Sequence, residues 1–412
     1  MDDRSTPRRA QAPAAGRAAR RPTGRVQAVD AARGLALLGL TAIHFLPAAY
    51  EGTSTPTLSW LLFAGDSAAL FALVAGVGLA LSSGGRRPRT GREMRAVRAG
   101  IAVRALLIAA LGLSIGYLLP QEFPPAISIL PAYGVFFLLS LPFLGLQVRT
   151  LLICAGAAAV LAPLLVHAVG GRLPEYSAHN PTFAHLVTEP AALLSQLLLT
   201  GTYPALPYLA YLLTGLAVGR LNLNSRRVQG GLLAAGAGLA AVAKLVSWLL
   251  LYATSGYMTL LYSIPELTRQ QLDDMIVFGP SEALPTNSLW WQVLSAPHAN
   301  TPFSVLWSLG VAVAAVGALL LIARRYGAWL NPLAAVGAMT LTLYTGQLVL
   351  LSFEVHYAYP LLWCLAVLAL SVLFALAWRH AFGQGPLERV VSGAAGAARR
   401  RVLARGAADG TA

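Results

Sequence analysis

"DAARGLALLGLTAIHFLP", Asp30 to Pro47, is the stretch on which the reading of this fold turns. It is apolar for about the 20 residues that a helix needs to cross a bilayer at roughly 1.5 Å per residue. It nevertheless carries Asp30, Arg33 and His44. An ionisable group at the centre of a membrane helix costs about 3 kcal/mol, so such groups face a bundle interior and find partners. Arg33 and His44 are eleven residues apart, which places them within about 20° of one helix face and roughly 16 Å apart along the axis. One face is therefore polar at both ends. Asp30 stands one turn before Arg33, where it serves either as an N-cap favoured by the helix dipole or as the arginine's ion partner.

The rest of the chain has the same character. Of 412 residues, 57% are hydrophobic and 11% are charged, and the mean hydropathy is +0.64. That balance excludes an ordinary soluble domain. About ten apolar runs follow one another, at 30–50, 57–83, 99–119, 126–146, 149–170, 191–219, 229–254, 303–323, 329–352 and 358–378. The expected fold is all-α: a polytopic bundle of about ten transmembrane helices in the cell membrane. The sixth run is long enough to break at "TYPALPY", where Pro204 and Pro207 remove backbone donors.

The net charge of +14 is carried by arginine, with one lysine, and the arginines cluster in alternate loops. The tail before residue 28, 84–98, 219–227, 323–327 and the tail after Trp378 are arginine-rich, whereas the opposite loops hold only Arg172 and Arg269. This asymmetry predicts both termini in the cytoplasm and makes lipid headgroups, not nucleic acid, the ordinary partner of the charge. Residues 1–27 read as a disordered basic tail, 28–380 as the bundle with an extracytoplasmic loop at about 255–302, and 381–412 as a second basic tail. The first run is too long for a cleaved leader and reads as retained. Cys154 and Cys364 lie inside apolar runs, so no disulfide framework or metal site is expected.

The second span, "FAGDSAALF", brings Asp66 to about the depth of His44, and a carboxylate holding one imidazole nitrogen leaves the other as a general base. His44 and Asp66 are thus the candidate catalytic pair, against the plainer reading of a buried pair that fixes helix packing. Tyr344 and Gln347 recur with Thr340 at helical spacing, as a cavity lining or as hydrogen-bonding glue between helices. Lys244 either meets a carboxylate or snorkels to the surface. His298 is either a solvated loop residue or one that reaches into a cavity. The loop 84–98, with Arg98, and Arg104 within the third span suit a nucleotide donor's phosphates as well as anionic lipid.

"RVQAVDAARGLALLGLTAIHF" followed by "GDSAALFALVAGVGLAL", with "GAMTLTLYTGQL" at 337–348 and "FGQGPLERV" at 382–390, resembles the transmembrane acyltransferases typified by heparan-alpha-glucosaminide N-acetyltransferase and its uncharacterised bacterial relatives. The resemblance implies an acyl-coenzyme A donor used from the cytoplasm, no permanently bound cofactor, a sugar or lipid-linked acceptor on the far side, and an intramembrane histidine. Asp66 matches the family's aspartate. The family's loop histidine has no counterpart in "YEGTSTPTLSW", and Ala338 stands where many relatives have arginine. Arg33, Asp30, Arg104, Arg98, Tyr344, Gln347, His298 and Lys244 are the residues expected around donor or acceptor. A proton-coupled transporter or flippase is the alternative, for which paired broken helices would be the sign; a homodimer stays open.

Overall fold

The computed structural model describes residues 24–174 and 179–408. The expected disordered tail at 1–27 lies outside the described residues up to residue 23, and from Gly24 the chain is already helical. In chain order the helices are α1 Gly24–Phe45, α2 Leu58–Phe63, α3 Asp66–Ser82, α4 Gly91–Ile115, α5 Leu130–Ser140, α6 Val148–Val169, α7 His185–Thr188, α8 Pro190–Ser195 and α9 Ala205–Gly219. They continue with α10 Arg226–Trp248, α11 Gly256–Leu261, α12 Arg269–Phe278, α13 Pro302–Tyr326, α14 Asn331–Gly337, α15 Thr340–Leu351, α16 Pro360–Phe382 and α17 Pro386–Ala408. Among the described residues there is no strand, only an isolated bridge between Ala49 and Pro56. Seven helical stretches are long and apolar enough to cross a membrane: 27–45, 58–82, 91–115, 148–172, 226–253, 302–337 and 360–382. Shorter apolar helices lie at 130–145, 190–200, 205–219 and 340–351.

Small residues set the helix contacts, as they must where lipid supplies no hydrophobic drive between apolar faces. A Cβ on Gly337 of α14 would stand 1.7 Å from the Asp30 carbonyl oxygen of α1, and one on Gly215 of α9 would stand 1.8 Å from that of Leu73 on α3. Gly236 and Gly310 do the same for α10 and α13. The polar residues of α1, α3, α9 and α13 are therefore brought close because backbone touches backbone.

Three apolar runs are interrupted. The expected break of the sixth falls at Gly201–Pro204, between a π-helical turn and α9. Two more were not anticipated. The second run breaks at Gly65, which takes φ +75°, and the ninth breaks at Ala338 and Met339, between α14 and α15. Residues 255–302 fold back on the end of the preceding helical run: Leu251 of that run and Leu260, Leu261, Leu272, Trp291 and Leu294 form a separate small core. Within that segment α12 opens with a capping box made by Thr268 and Gln271. Of the segment 381–412 read as a second basic tail, Pro386–Ala408 is the helix α17, packed along α4, and 409–412 lie outside the described residues.

Candidate functional site

Asp30 and Arg33 do pair, Arg33 Nη1 donating to Asp30 Oδ1 at 2.6 Å. Asp30 is not an N-cap, however, because α1 starts six residues earlier, at Gly24. Eleven residues further on, the other end of the same face carries His44. Its Nδ1 is 3.1 Å from Gln347 Nε2, and the Gln347 amide oxygen accepts from Thr41 Oγ1 at 2.8 Å. One amide on α15 thus holds two residues of α1, one turn apart. The stripe on α15 is divided in its use. Gln347 belongs to the histidine, while the Tyr344 hydroxyl accepts the backbone N–H of Ile129 at 3.3 Å and joins helices.

The expected His44–Asp66 pair does not form: among the described residues no hydrogen bond or ion pair links them. The reason is the break at Gly65, which makes Asp66 the first residue of α3 and turns its side chain towards α13. There Ser308 donates to Asp66 Oδ1 at 2.5 Å, the Trp307 indole N–H also hydrogen-bonds to the carboxylate, and Lys244 is in electrostatic reach. Lys244 Nζ sits 5.3 Å above the Trp307 ring, so the lysine meets the carboxylate's neighbourhood across an indole. Asp66 is a buried tie between α3 and α13, and the group that orients His44 is a neutral amide.

His298 stands close to this end of α1. The backbone of Pro297 and His298 lies against Gly65, 3.4 and 3.6 Å from where a Cβ would be, and His298 itself takes φ +56°, a strained conformation outside glycine. His298 and His356 are both in electrostatic reach of His44, and His356 packs edge-on to Phe45 at 5.4 Å. His298 bonds to the Thr202 backbone, and its buried Nδ1 has no partner. Burial holds the His298 imidazole down at about 4, with the Thr202 bond working the other way. His356 is also held below the usual imidazole value by burial, against the pull of Glu354.

His298 lines a cavity of about 560 Å³ on the side of the 255–302 segment, together with Trp60, His167, Glu282, Gln292 and Asn300. An indole face among amides, a carboxylate and imidazoles is a lining that suits a hydroxylated ligand. A second cavity, of about 330 Å³, lies at the Arg33 end of α1. Arg33, Arg104 and Arg399 line it with Tyr133 and Phe137, and the Arg104 guanidinium lies 5.5 Å over the Phe137 ring. Arg98 does not reach this cavity. Six residues before Arg104 on the same helix it points elsewhere, and its Nε is buried without a partner.

Residues that sequence reasoning passed over are His356, His167, Ser308, Trp307, Glu388 and Arg399. Glu388 had a signal, since "FGQGPLERV" and "GAMTLTLYTGQL" were both singled out without their contact. Glu388 Oε1 accepts the backbone N–H groups of Leu341 (2.7 Å) and Thr342 (3.1 Å), and Oε2 accepts the Thr342 hydroxyl at 2.6 Å. The carboxylate of α17 therefore caps the broken helix that carries Gln347.

Comparison with known families bears on this arrangement. Residues 25–255 match the family described as heparan-alpha-glucosaminide N-acetyltransferase, catalytic, which is more than half of the chain. The chain belongs to that family. Residues 255–395 match a second description, protein of unknown function (DUF418). No curated protein matches the chain. As a member of the N-acetyltransferase family it carries Arg33, His44, Asp66, Arg104 and Lys244 inside the catalytic match, and His298, Gln347 and Glu388 inside the second. It is a multi-pass membrane protein of acyltransferase type.

Proposed function

We propose that the protein moves an acyl group, acetyl being the expected one, from acyl-coenzyme A on the arginine-rich side to a sugar or lipid-linked acceptor on the other side of the plasma membrane. The observation that carries this reading is the polarity of α1: its Arg33 end lines an arginine cavity, and at its other end His44, which lines neither cavity, is in electrostatic reach of His298, which lines the larger one. The separation of roughly 16 Å along the helix is one that an extended pantetheine arm bridges. In this reading the phosphates lie at Arg33 and Arg104, and the thioester reaches His44, which acts as base or as acyl carrier. The acceptor sits in the larger cavity near His298. The acceptor's oxygen or nitrogen attacks the thioester carbonyl carbon while imidazole takes its proton; the C–S bond then breaks and the imidazolium passes that proton to the departing sulfur, so coenzyme A leaves as the thiol. Ten crossings, counting the shorter helices and the interrupted ones as single spans, with both ends of the chain in the cytoplasm, fit the arginine distribution.

The transporter reading gains one point from the structure, because three interrupted helices exist where one was expected. Incubation of the protein in liposomes with radiolabelled acetyl-coenzyme A separates the two. Label transfer or thioester cleavage that disappears in His44→Ala supports the enzyme. Proton-coupled solute uptake by a protein that does not bind coenzyme A overturns it.

A further inference from the structure

We infer that Arg399 of α17 is the third arginine of a phosphate-binding cavity, and that this cavity takes the diphosphate part of the coenzyme A donor. The inference rests on the donor reading above and extends it to a helix that neither match reaches at this position, the second ending at residue 395. The cavity is built to hold arginines. Gly78 on α3 leaves room for Arg33, whose Nη2 would be 2.9 Å from a Cβ there, and Gly100 on α4 leaves room for the Arg399 stem, whose Cγ would be 2.7 Å from one.

Three guanidinium groups from α1, α4 and α17 therefore border one space. Like charges gathered in a partly dehydrated site need an anion among them. Beyond the Asp30–Arg33 pair, the protein's own carboxylates among the described residues supply no ion pair there, Glu388 acting on Arg104 only through space. Asp30 is bound to Arg33 Nη1, with Arg379 of α16 also acting on it, and both Glu388 oxygens are taken by the start of α15. Among the described residues no carboxylate pairs with Arg104 or Arg399. Tyr133 does not compete either, because its hydroxyl donates to the Phe71 carbonyl at 2.6 Å.

Planar, five-donor guanidinium groups converging in this way match phosphate oxygens better than a single carboxylate. About 330 Å³ is at the low end for a ligand cavity, enough for a diphosphate and the start of the arm but not for the whole nucleotide. The shared chemistry is a phosphate ester, and an anionic lipid headgroup also offers one.

The test uses the full chain in phosphatidylcholine nanodiscs, with coenzyme A binding measured by calorimetry and acetyl-coenzyme A kinetics alongside. Arg399→Gln is expected to weaken coenzyme A binding about tenfold or more and to raise KM with kcat within about twofold. Arg399→Lys recovers part of the affinity, and Arg401→Gln, exposed on the same helix, behaves as wild type. Should Arg399→Gln fail to fold, the Lys variant, which keeps charge and loses the fork, still reads the effect. His44→Ala is expected to keep binding while losing transfer. If the wild type binds coenzyme A and Arg399→Gln binds it equally well, the Arg399 assignment is overturned and the donor reading stands. If the wild type does not bind coenzyme A, both fall. Stabilisation by phosphatidylglycerol in place of coenzyme A, lost in Arg399→Gln, would assign the cavity to a lipid headgroup and overturn the inference.

Discussion

Replacing His44 by alanine is the sharpest change at the level of single residues. If His44 is the base or acyl carrier, His44→Ala lowers transfer by about 100-fold or more, the lower range for a lost general acid or base. Gln347→Leu is expected to act through it, lowering kcat by less while leaving the affinity for coenzyme A unchanged. Equal loss of binding in Gln347→Leu would show instead that the amide shapes the donor site. His298 gives a pH signature. Its folded value, near 4, lies below the ordinary 6.5, so the folded state favours the neutral ring. That contribution is complete above about pH 6.5 and is lost as pH falls towards 4. Thermal unfolding of the wild type should therefore weaken across that window, and His298→Gln should flatten the dependence.

For whole helices, the cap on α15 and the glycine crossings carry the predictions. Glu388→Ala leaves two N–H groups at the start of α15 unpartnered and is expected to cost about 1–2 kcal/mol, seen as a lower unfolding midpoint. Gly337→Val puts a side chain where only 1.7 Å separates it from the Asp30 carbonyl, so folded yield collapses, whereas Gly230→Ala meets open space and is tolerated. These elements also mark what could be read in advance. The shared face of Arg33 and His44 was legible because an unbroken helix converts spacing into direction. Asp66 was given the wrong neighbour, because one positive-φ glycine resets the phase of everything after it, and "AGD" does not announce a break as Pro204 does. The helix α17 was missed for a different reason: its apolar residues, mostly alanine and valine, are diluted by five arginines, so hydropathy hides a helix whose burial is against α4. Its Glu388 stands 47 residues beyond the partner Leu341 on α15, a distance over which spacing says nothing.

Taken as a whole, the molecule is a bundle with a charged end and a histidine-bearing end. Its sidedness is open to direct measurement. With ten crossings, Arg87→Cys should react with an impermeant maleimide only from the cytoplasmic face, and Thr286→Cys only from the other; labelling of both from one face would remove the ten-span count. The placement of α17 has a consequence for biosynthesis. The helix that closes the arginine cavity follows every membrane-crossing stretch in the chain, so it leaves the ribosome after all of them. Until then the nascent bundle has a groove where the finished protein has a chamber, and the first turn of α15 has bare amides. On the donor reading proposed above, a polypeptide halted before Pro386 would insert its spans without Arg399 at the cavity, and its grip on coenzyme A should be no better than that of Arg399→Gln.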